Sequence, residues 1–356
     1  MKKSFDLVIT LISSLVFVAI MATSAMADQE ALLGDMNIYY GSLHAHSNFS
    51  DGKGTPEENF IWARDVAKFD FYALTDHSEQ VFPWMWSTIK NTANKYNVVG
   101  QFCAMRGFEW GNPLSGHINV LDSDTQTNVL VIQSVDLFYL WLQLSNGIGQ
   151  YNHPGSTPLN YNNFRYISKA DKYMCLLETG NGGTGNNDNQ YVLQYIKALD
   201  KGWHVAPANN QDNHSMNSNC HRTAIVASEL SRTSLKDSIR KRMVYSTDDP
   251  NMKVVFKYGS TWMGSQIATS DPEITFDISV TDDEPITGME LISNKGVVVA
   301  TKIFSVTADE YSWQPTVPIA ADAYFFVKVY ELNTIETSDG ATQIAVTAPI
   351  WVDFSN

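Results

Sequence analysis

Positive charge is scarce in this chain, thiols are scarcer, and beyond residue 22 no long apolar run remains. Lys and Arg number 24 against 38 Asp and Glu, giving a formal charge of −14. So acidic a surface repels a nucleic-acid backbone, which removes long polynucleotides from the substrate classes. Cys103, Cys175 and Cys220 are the only cysteines, enough for at most one intrachain disulfide, which an exported protein could form. Cys220-His221 has no second half at zinc-finger spacing and reads as an ordinary pair. No Gly-x-Ser-x-Gly stands where a serine nucleophile would act. Past the N-terminus nothing is long and apolar enough to span a bilayer, so stable membrane insertion is not expected.

What is present begins with Met1-Lys2-Lys3, an apolar run from Leu7 to Ala22, and Ala25-Met26-Ala27. These are the parts of a secretory signal peptide, residues 1–27, cleaved after Ala27. No basic residues flank it downstream as they would a membrane anchor, and no cysteine follows the cleavage site as in a lipoprotein. The expected location is secreted or periplasmic. A mature chain of about 330 residues is more than one compact core usually holds, so two domains are expected. Helical periodicity ends near residue 250, dividing the chain into 28–250 and 251–356.

In the first part, ligand-type residues recur where strands end. Apolar Ile38 to Leu43 predict a strand whose alternation sends His44 and His46 to one side, and Ser50-Asp51-Gly52 turns a carboxylate back toward them. Thr55-Pro56-Glu57-Glu58 is a helix start with its own capping box, and the apolar run continues to Ala67. A buried strand, Phe69 to Leu74, delivers Thr75-Asp76-His77. The strand Phe102 to Phe108 ends in Glu109, and His117 follows a Gly/Pro turn. Ser134 to Asn146 is helical, and Ile148 to Tyr151 leads to Asn152-His153-Pro154-Gly155. Tyr173 to Glu178 is a strand, Gln190 to Lys201 a helix, and His204 to Ala208 leads into Asp212-Asn-His214. Alternating strands and helices predict a parallel α/β core closed as a barrel, with its site at the C-terminal ends of the strands.

Six of the eight histidines lie at such ends, with Asp51, Glu109 and Asp212. Together these residues resemble the polymerase and histidinol phosphatase (PHP) domain, over Tyr39 to Ala227. His44-Ala-His46 is similar to its first motif, Thr75-Asp76-His77 to its second, His153-Pro154-Gly155 to its third and Asp212-Asn-His214 to its fourth. The resemblance implies a distorted seven-stranded β/α barrel. It also implies three metal ions: one held by His44, His46, Glu109 and Asp212, a second by Asp51, His77 and His214, a third by Glu109, His117 and His153. Many members have histidine where Asp51 stands. Asp76 is expected behind the site, orienting the ring of its neighbour.

Imidazoles mixed with carboxylates suit divalent Zn, Mn or Fe, and a water bridging such ions would have its pKa lowered toward neutrality. The expected activity is hydrolysis of small phosphate esters by a metal-bound hydroxide, with Glu109, His214 and Arg222 as catalytic residues. A carbamate or carboxylic ester hydrolase using the same site is the first alternative, and a non-catalytic binding protein with structural metals the second. An amidohydrolase-type barrel also begins with His-x-His, but no lysine stands at a strand end to bridge two metals. Arg222 and Arg165 are candidates for an anionic substrate. Val81-Phe-Pro-Trp84-Met-Trp86 reads as an aromatic lip or a packing cluster. Glu178 reads equally as pocket-facing or solvated. Gly180-Asn-Gly182-Gly-Thr-Gly185 fits a dinucleotide fingerprint in form but opens no helix directly, and reads as a flexible surface loop.

From Asn251 the pattern is all β, as in a small sandwich. Tyr324 to Tyr330 and Ala348 to Val352 resemble the C-terminal module of a secreted subgroup of PHP hydrolases that includes carbamate-cleaving enzymes. With no ligand cluster recognised there, its expected role is packing or positioning.

Overall fold

The protein is described here by a computed structural model covering residues 29–182, 191–217, 219–335 and 342–355. The expected signal peptide, residues 1–27, and the part of the expected Gly180–Gly185 loop after Gly182 lie outside the described residues. Nine strands make up the first half: β1 (Asn37–Ser42), β2 (Phe71–Leu74), β3 (Cys103–Asn112), β4 (Gly116–Leu121), β5 (Ile148–Asn152), β6 (Met174–Asn181), β7 (Ala206–Asn210), β8 (Arg222–Ala227) and β9 (Val244–Thr247).

Strands β1, β2 and β3 run parallel, and so do β5, β6 and β7. Between them β4 is antiparallel to both of its neighbours, and beside β1 strand β8 runs antiparallel both to it and to β9. The core is therefore mixed rather than all parallel. Only Pro113 to Ser115 separate β3 from β4, far too few residues for the crossover that a parallel pair needs. Closure comes after β7. The Leu43 amide donates to Asn210 Oδ1 at 2.7 Å, Ala45 bridges Asn213, and the His46 amide donates to the Asn213 carbonyl at 2.9 Å. At Gly41 a β-carbon would stand 2.0 Å from the Phe71 carbonyl oxygen, so β1 approaches β2 as closely as it does because that position has no side chain.

Helices cover the sheet: α1 (Pro56–Asp65), α2 (Pro83–Tyr96), α3 (Val135–Ser145), α4 (Val192–Asp200) and α5 (Arg232–Arg240). The capping box at Thr55 and Glu58 is formed, Ser134 and Ser231 cap α3 and α5, and Asn146 ends α3 in the left-handed region. Helix α2 was not expected from the sequence. Its N-cap, Phe82, makes no side-chain hydrogen bond, so the capping signal is missing; Trp86, Ile89 and Ala93 are buried along one face, Trp86 edge-on to Phe108.

In the second half, the strands Asp277–Ser293, Val297–Trp313, Ala323–Leu332, Thr342–Thr347 and Ile350–Phe354 are joined antiparallel in one sheet. That sheet continues into the first half, because Thr342–Thr347 pairs antiparallel with β9. Strand Ala323–Leu332 is buried on both faces. Phe325, Val327 and Val329 point into the core behind the sheet, whereas Tyr324 and Phe326 join the helix layer, with Phe326 5.6 Å from Tyr195 of α4. No disulfide joins the three cysteines, and Cys103 and Cys175 are buried. Among the described residues no helix is long and apolar enough to cross a membrane.

Candidate metal centre

Glu109 sits near the end of β3 with 1% of its surface exposed, and five imidazoles converge on it. His44 Nε2 lies 3.3 Å from its carboxylate, His46 Nε2 3.6 Å, His77 Nδ1 2.9 Å, His117 Nδ1 3.1 Å and His153 Nε2 3.5 Å. Asp212 approaches from beyond β7, with Oδ1 3.2 Å from His44 Nε2 and 3.1 Å from His46 Nε2. Asp51, half exposed, faces His46, His77 and His214, the last at 3.2 Å. The nine ligand-type residues expected at the site are thus gathered in one cluster, and the two candidate arginines are not among them.

Three overlapping groups have donor atoms within 4.8 Å of one another: His44, His46 and Asp212; His46, Asp51, His77 and His214; His77, Glu109 and His117. They overlap the three ligand sets implied by the resemblance without reproducing them: Glu109 is missing from the first and His153 from the third, and His46 and His77 each belong to two groups. The donors suit a divalent metal on an observation of their own. Asp212 Oδ1 and His77 Nδ1 are buried without a well-aligned hydrogen bond among the described residues, although His46 Nε2 stands 3.1 Å from the first and Glu109 2.9 Å from the second. Two of the backbones are strained as well: His153 has φ +31° and Asp212 φ +45°, conformations that L-residues other than glycine hold only where the surroundings enforce them.

Behind the rings, hydrogen bonds fix which nitrogen faces the centre. His44 Nδ1 is 2.9 Å from Glu178, His46 Nδ1 3.3 Å from Ser50 Oγ, His153 Nδ1 3.1 Å from Ser156 Oγ, and His214 Nδ1 donates to the Asp212 carbonyl at 2.8 Å. Each leaves Nε2 inward, the arrangement metal-binding histidines adopt. Glu178 is fully buried and is not solvated. It accepts from the His153 amide, Asn181 and Asn210 besides facing His44. Asn152 donates to Glu109 at 2.8 Å and Gln150 links Asn152 to Glu178. The sequence reading missed these amides. Their one signal is two-residue spacing on β5, which puts Gln150 and Asn152 on one face. Asp76 accepts from the Ser47 amide and the Ser47 and Ser50 hydroxyls, so it fastens the loop under His46 and does not orient the ring of His77.

Without metal, the surrounding carboxylates favour a proton on His44, His77 and His153. Burial opposes charge on His44, but Asp212, Glu178 and Glu109 outweigh it and raise its pKa well above the usual imidazole value. Burial likewise opposes charge on His77, yet Glu109 and Asp51 push it up to about 9. Burial would also raise the Glu109 carboxyl, but His44, His117 and His153 hold it well below the usual range.

Arg222 lies elsewhere: its guanidinium covers the Phe69 ring at 4.6 Å and donates to the carbonyls of Asn219 and His221. Arg165 pairs with Asp136 on the surface. The aromatic stretch divides. Trp86 is core, while Trp84 is 60% exposed and meets Phe49 edge-on at 5.5 Å, beside the loop that carries His46 and Asp51. His221 faces Asn209, and His204 pairs with Asp171 at 2.7 Å.

Fold and site together define a mixed α/β protein with a carboxylate-centred polyhistidine cluster of metal-binding type. No protein-family model matches the chain. An uncharacterised protein of Chlamydia pneumoniae is 22% identical over 368 residues, covering 90% of this chain and 58% of its own length. One from Chlamydia trachomatis serovar D is 23% identical over 370 residues, with the same coverage. The chain therefore spans less than two thirds of either relative. Among solved structures, a two-domain protein of Bacteroides vulgatus ATCC 8482, described as containing a predicted PHP-like metal-dependent phosphoesterase, is 15% identical. That comparison covers 88% of this chain and 96% of the other, with a TM-score of 0.48.

Proposed function

We propose that the protein is an exported, metal-dependent phosphoesterase acting on small phosphate esters at a trinuclear site. The observation that carries this reading is the buried Glu109 carboxylate within 3.6 Å of five imidazoles, because one carboxylate so surrounded can bridge ions. Divalent Zn, Mn or Fe ions bound there supply Lewis acidity and lower the pKa of water toward neutrality. Three such ions against the carboxylates of Glu109, Asp51 and Asp212 leave the pocket floor net positive, which favours an anionic phosphoryl group over a neutral ester.

The chain's own residues do the rest. Glu178, Ser50, Ser156 and the Asp212 carbonyl hold the rings with Nε2 inward, so the site is organised before any ligand arrives. Asp51 and His214 are the most exposed members and stand at the mouth, where substrate enters. Exposed Trp84, braced by Phe49, offers an apolar wall to the organic part of the ester. Arg222 takes no part in this reading, since Phe69 and two carbonyls occupy its guanidinium.

Metal content of the purified chain, measured with turnover of aryl phosphate mono- and diesters, aryl carboxylic esters and aryl carbamates, tests the proposal. Close to three transition-metal ions per chain with phosphate ester hydrolysis supports it. Metal with only ester or carbamate cleavage shifts the bond that is cut, and failure to bind metal overturns the site itself.

A further inference from the structure

A second group of carboxylates lies at the seam between the two halves, where the sequence reading recognised no ligand cluster. Within strand Asp277–Ser293, the segment Asp282-Asp283-Glu284-Pro285 breaks the ladder: pairing stops at Thr281 and resumes at Ile286, opposite Glu331 of strand Ala323–Leu332. Proline cannot donate to a ladder, and a bulge of this kind re-aims the side chains it carries. Asp249 reaches the same place from the turn after β9. Carboxylate oxygens of Asp249, Asp282 and Asp283 lie within 4.8 Å of one another, as do those of Asp249, Glu284 and Glu331.

Backbone amides set these groups in advance. Asn251 and Met252 donate to Asp249 Oδ1, both at 2.6 Å, Asp283 donates to Asp282 Oδ1 at 2.8 Å, and Thr334 and Ile335 donate to Glu284 Oε1. Glu331 differs: it is 0% exposed, no donor among the described residues reaches either of its oxygens or Asp282 Oδ2, and a hydrogen bond between Glu331 and Asp282 requires a proton that the charged pair lacks. A buried carboxylate aimed at other carboxylates is costly unless something positive lies between them. Asp283 is exposed and gives that place a route to solvent.

We propose that Asp249, Asp282, Asp283, Glu284 and Glu331 form a calcium site. Every donor is a hard oxygen, with no imidazole or thiolate among the five, which disfavours the transition metals suited to the histidine cluster. Several carboxylates drawn from two strands and a turn suit the larger, more flexible shell of Ca²⁺; Mg²⁺ demands a tight octahedron and keeps its waters. The ion would clamp the turn after β9 to the second half. Asp248, next to Asp249, accepts from Asn209 of β7 at 2.7 Å and from the Ile344 amide at 3.1 Å, so the clamp extends toward the strand that leads to Asp212.

The test uses the full chain, stripped with chelator and titrated with Ca²⁺ by calorimetry at pH 7.5, alongside thermal melts. One Ca²⁺ per chain should bind and raise Tm by about 5 °C or more at millimolar concentration, with Mg²⁺ doing markedly less. Glu331→Gln should abolish both effects and leave the zinc content of the histidine cluster unchanged. Should that variant fail to fold, Tb³⁺ luminescence of the unaltered chain decides, a saturable signal displaced by Ca²⁺ being required. Loss of the Ca²⁺ response in His44→Ala would place the ion at the histidines and overturn the proposal. A Tm indifferent to Ca²⁺ would mean that protons alone neutralise the cluster, and overturns it equally.

Discussion

At the scale of single residues, the centre depends on groups that touch no substrate. Glu178 fixes the ring of His44 and, through the His153 amide, the strained turn that presents His153. Glu178→Gln should therefore weaken metal binding about 10–100-fold while the fold persists, measured by competition with a chelating dye. Protons compete for the same rings. His77 in the metal-free chain is raised to about 9, above the ordinary imidazole value, so its contribution to stability is complete below about pH 6.5 and is lost as pH rises through 9. The chelator-treated protein should melt higher at pH 6 than at pH 9.5. Metal affinity should run the opposite way, rising over that interval as the rings give up their protons. Most ligand-type residues are legible in the sequence because they follow apolar runs that form strands; His117, which opens β4 after a turn, and Asp51 and His214, in loops, are read from their neighbours instead. Gln150, Asn152 and Asn210 are not legible, since the two-residue spacing of the first two gives a shared face but no partner, and a buried amide meets its partners only after the sheet has closed. Arg222 shows the reverse failing: nearness in sequence to Asp212 and His214 says nothing of where a long side chain turns.

At the scale of elements, start signals and turn lengths carry most of the information. Helix α1 follows from Thr55-Pro56-Glu57-Glu58 because both halves of the capping box form. Thr55→Ala should cost about 1 kcal/mol, read as a lower urea midpoint with unchanged slope. Helix α2 has no such cap and owes its existence to Trp86, Ile89 and Ala93 packing under it, a tertiary cause that no local pattern reports. The direction of β4 was recoverable from the three-residue connection before it, but the rhythm of strands and helices elsewhere suggested a uniform parallel core. Runs of acids are hard to interpret in advance. Asp282-Asp283-Glu284 looks like a solvated turn until the bulge sets it against Glu331.

At the scale of the whole molecule, the two halves share a sheet. Pairing of β9 with Thr342–Thr347 and the contact of Phe326 with Tyr195 tie the second half to both the sheet and the helix layer of the first. Calorimetry should show one unfolding transition, and Phe326→Ala should destabilise the entire chain by about 3–5 kcal/mol rather than loosen one part. The bridge between Ala45 and Asn213 has a consequence in time. The walls of the pocket are brought together from positions more than 160 residues apart in the chain, Leu43 meeting Asn210 across a separation of 167. Contacts so distant form late and slowly, after the local helices and hairpins. An emerging or unfolded chain accordingly has no pocket to fill, and metal must be acquired once folding is over. Refolding from urea should proceed at the same rate with zinc or with chelator present, and differ only in how firmly the finished protein resists unfolding again.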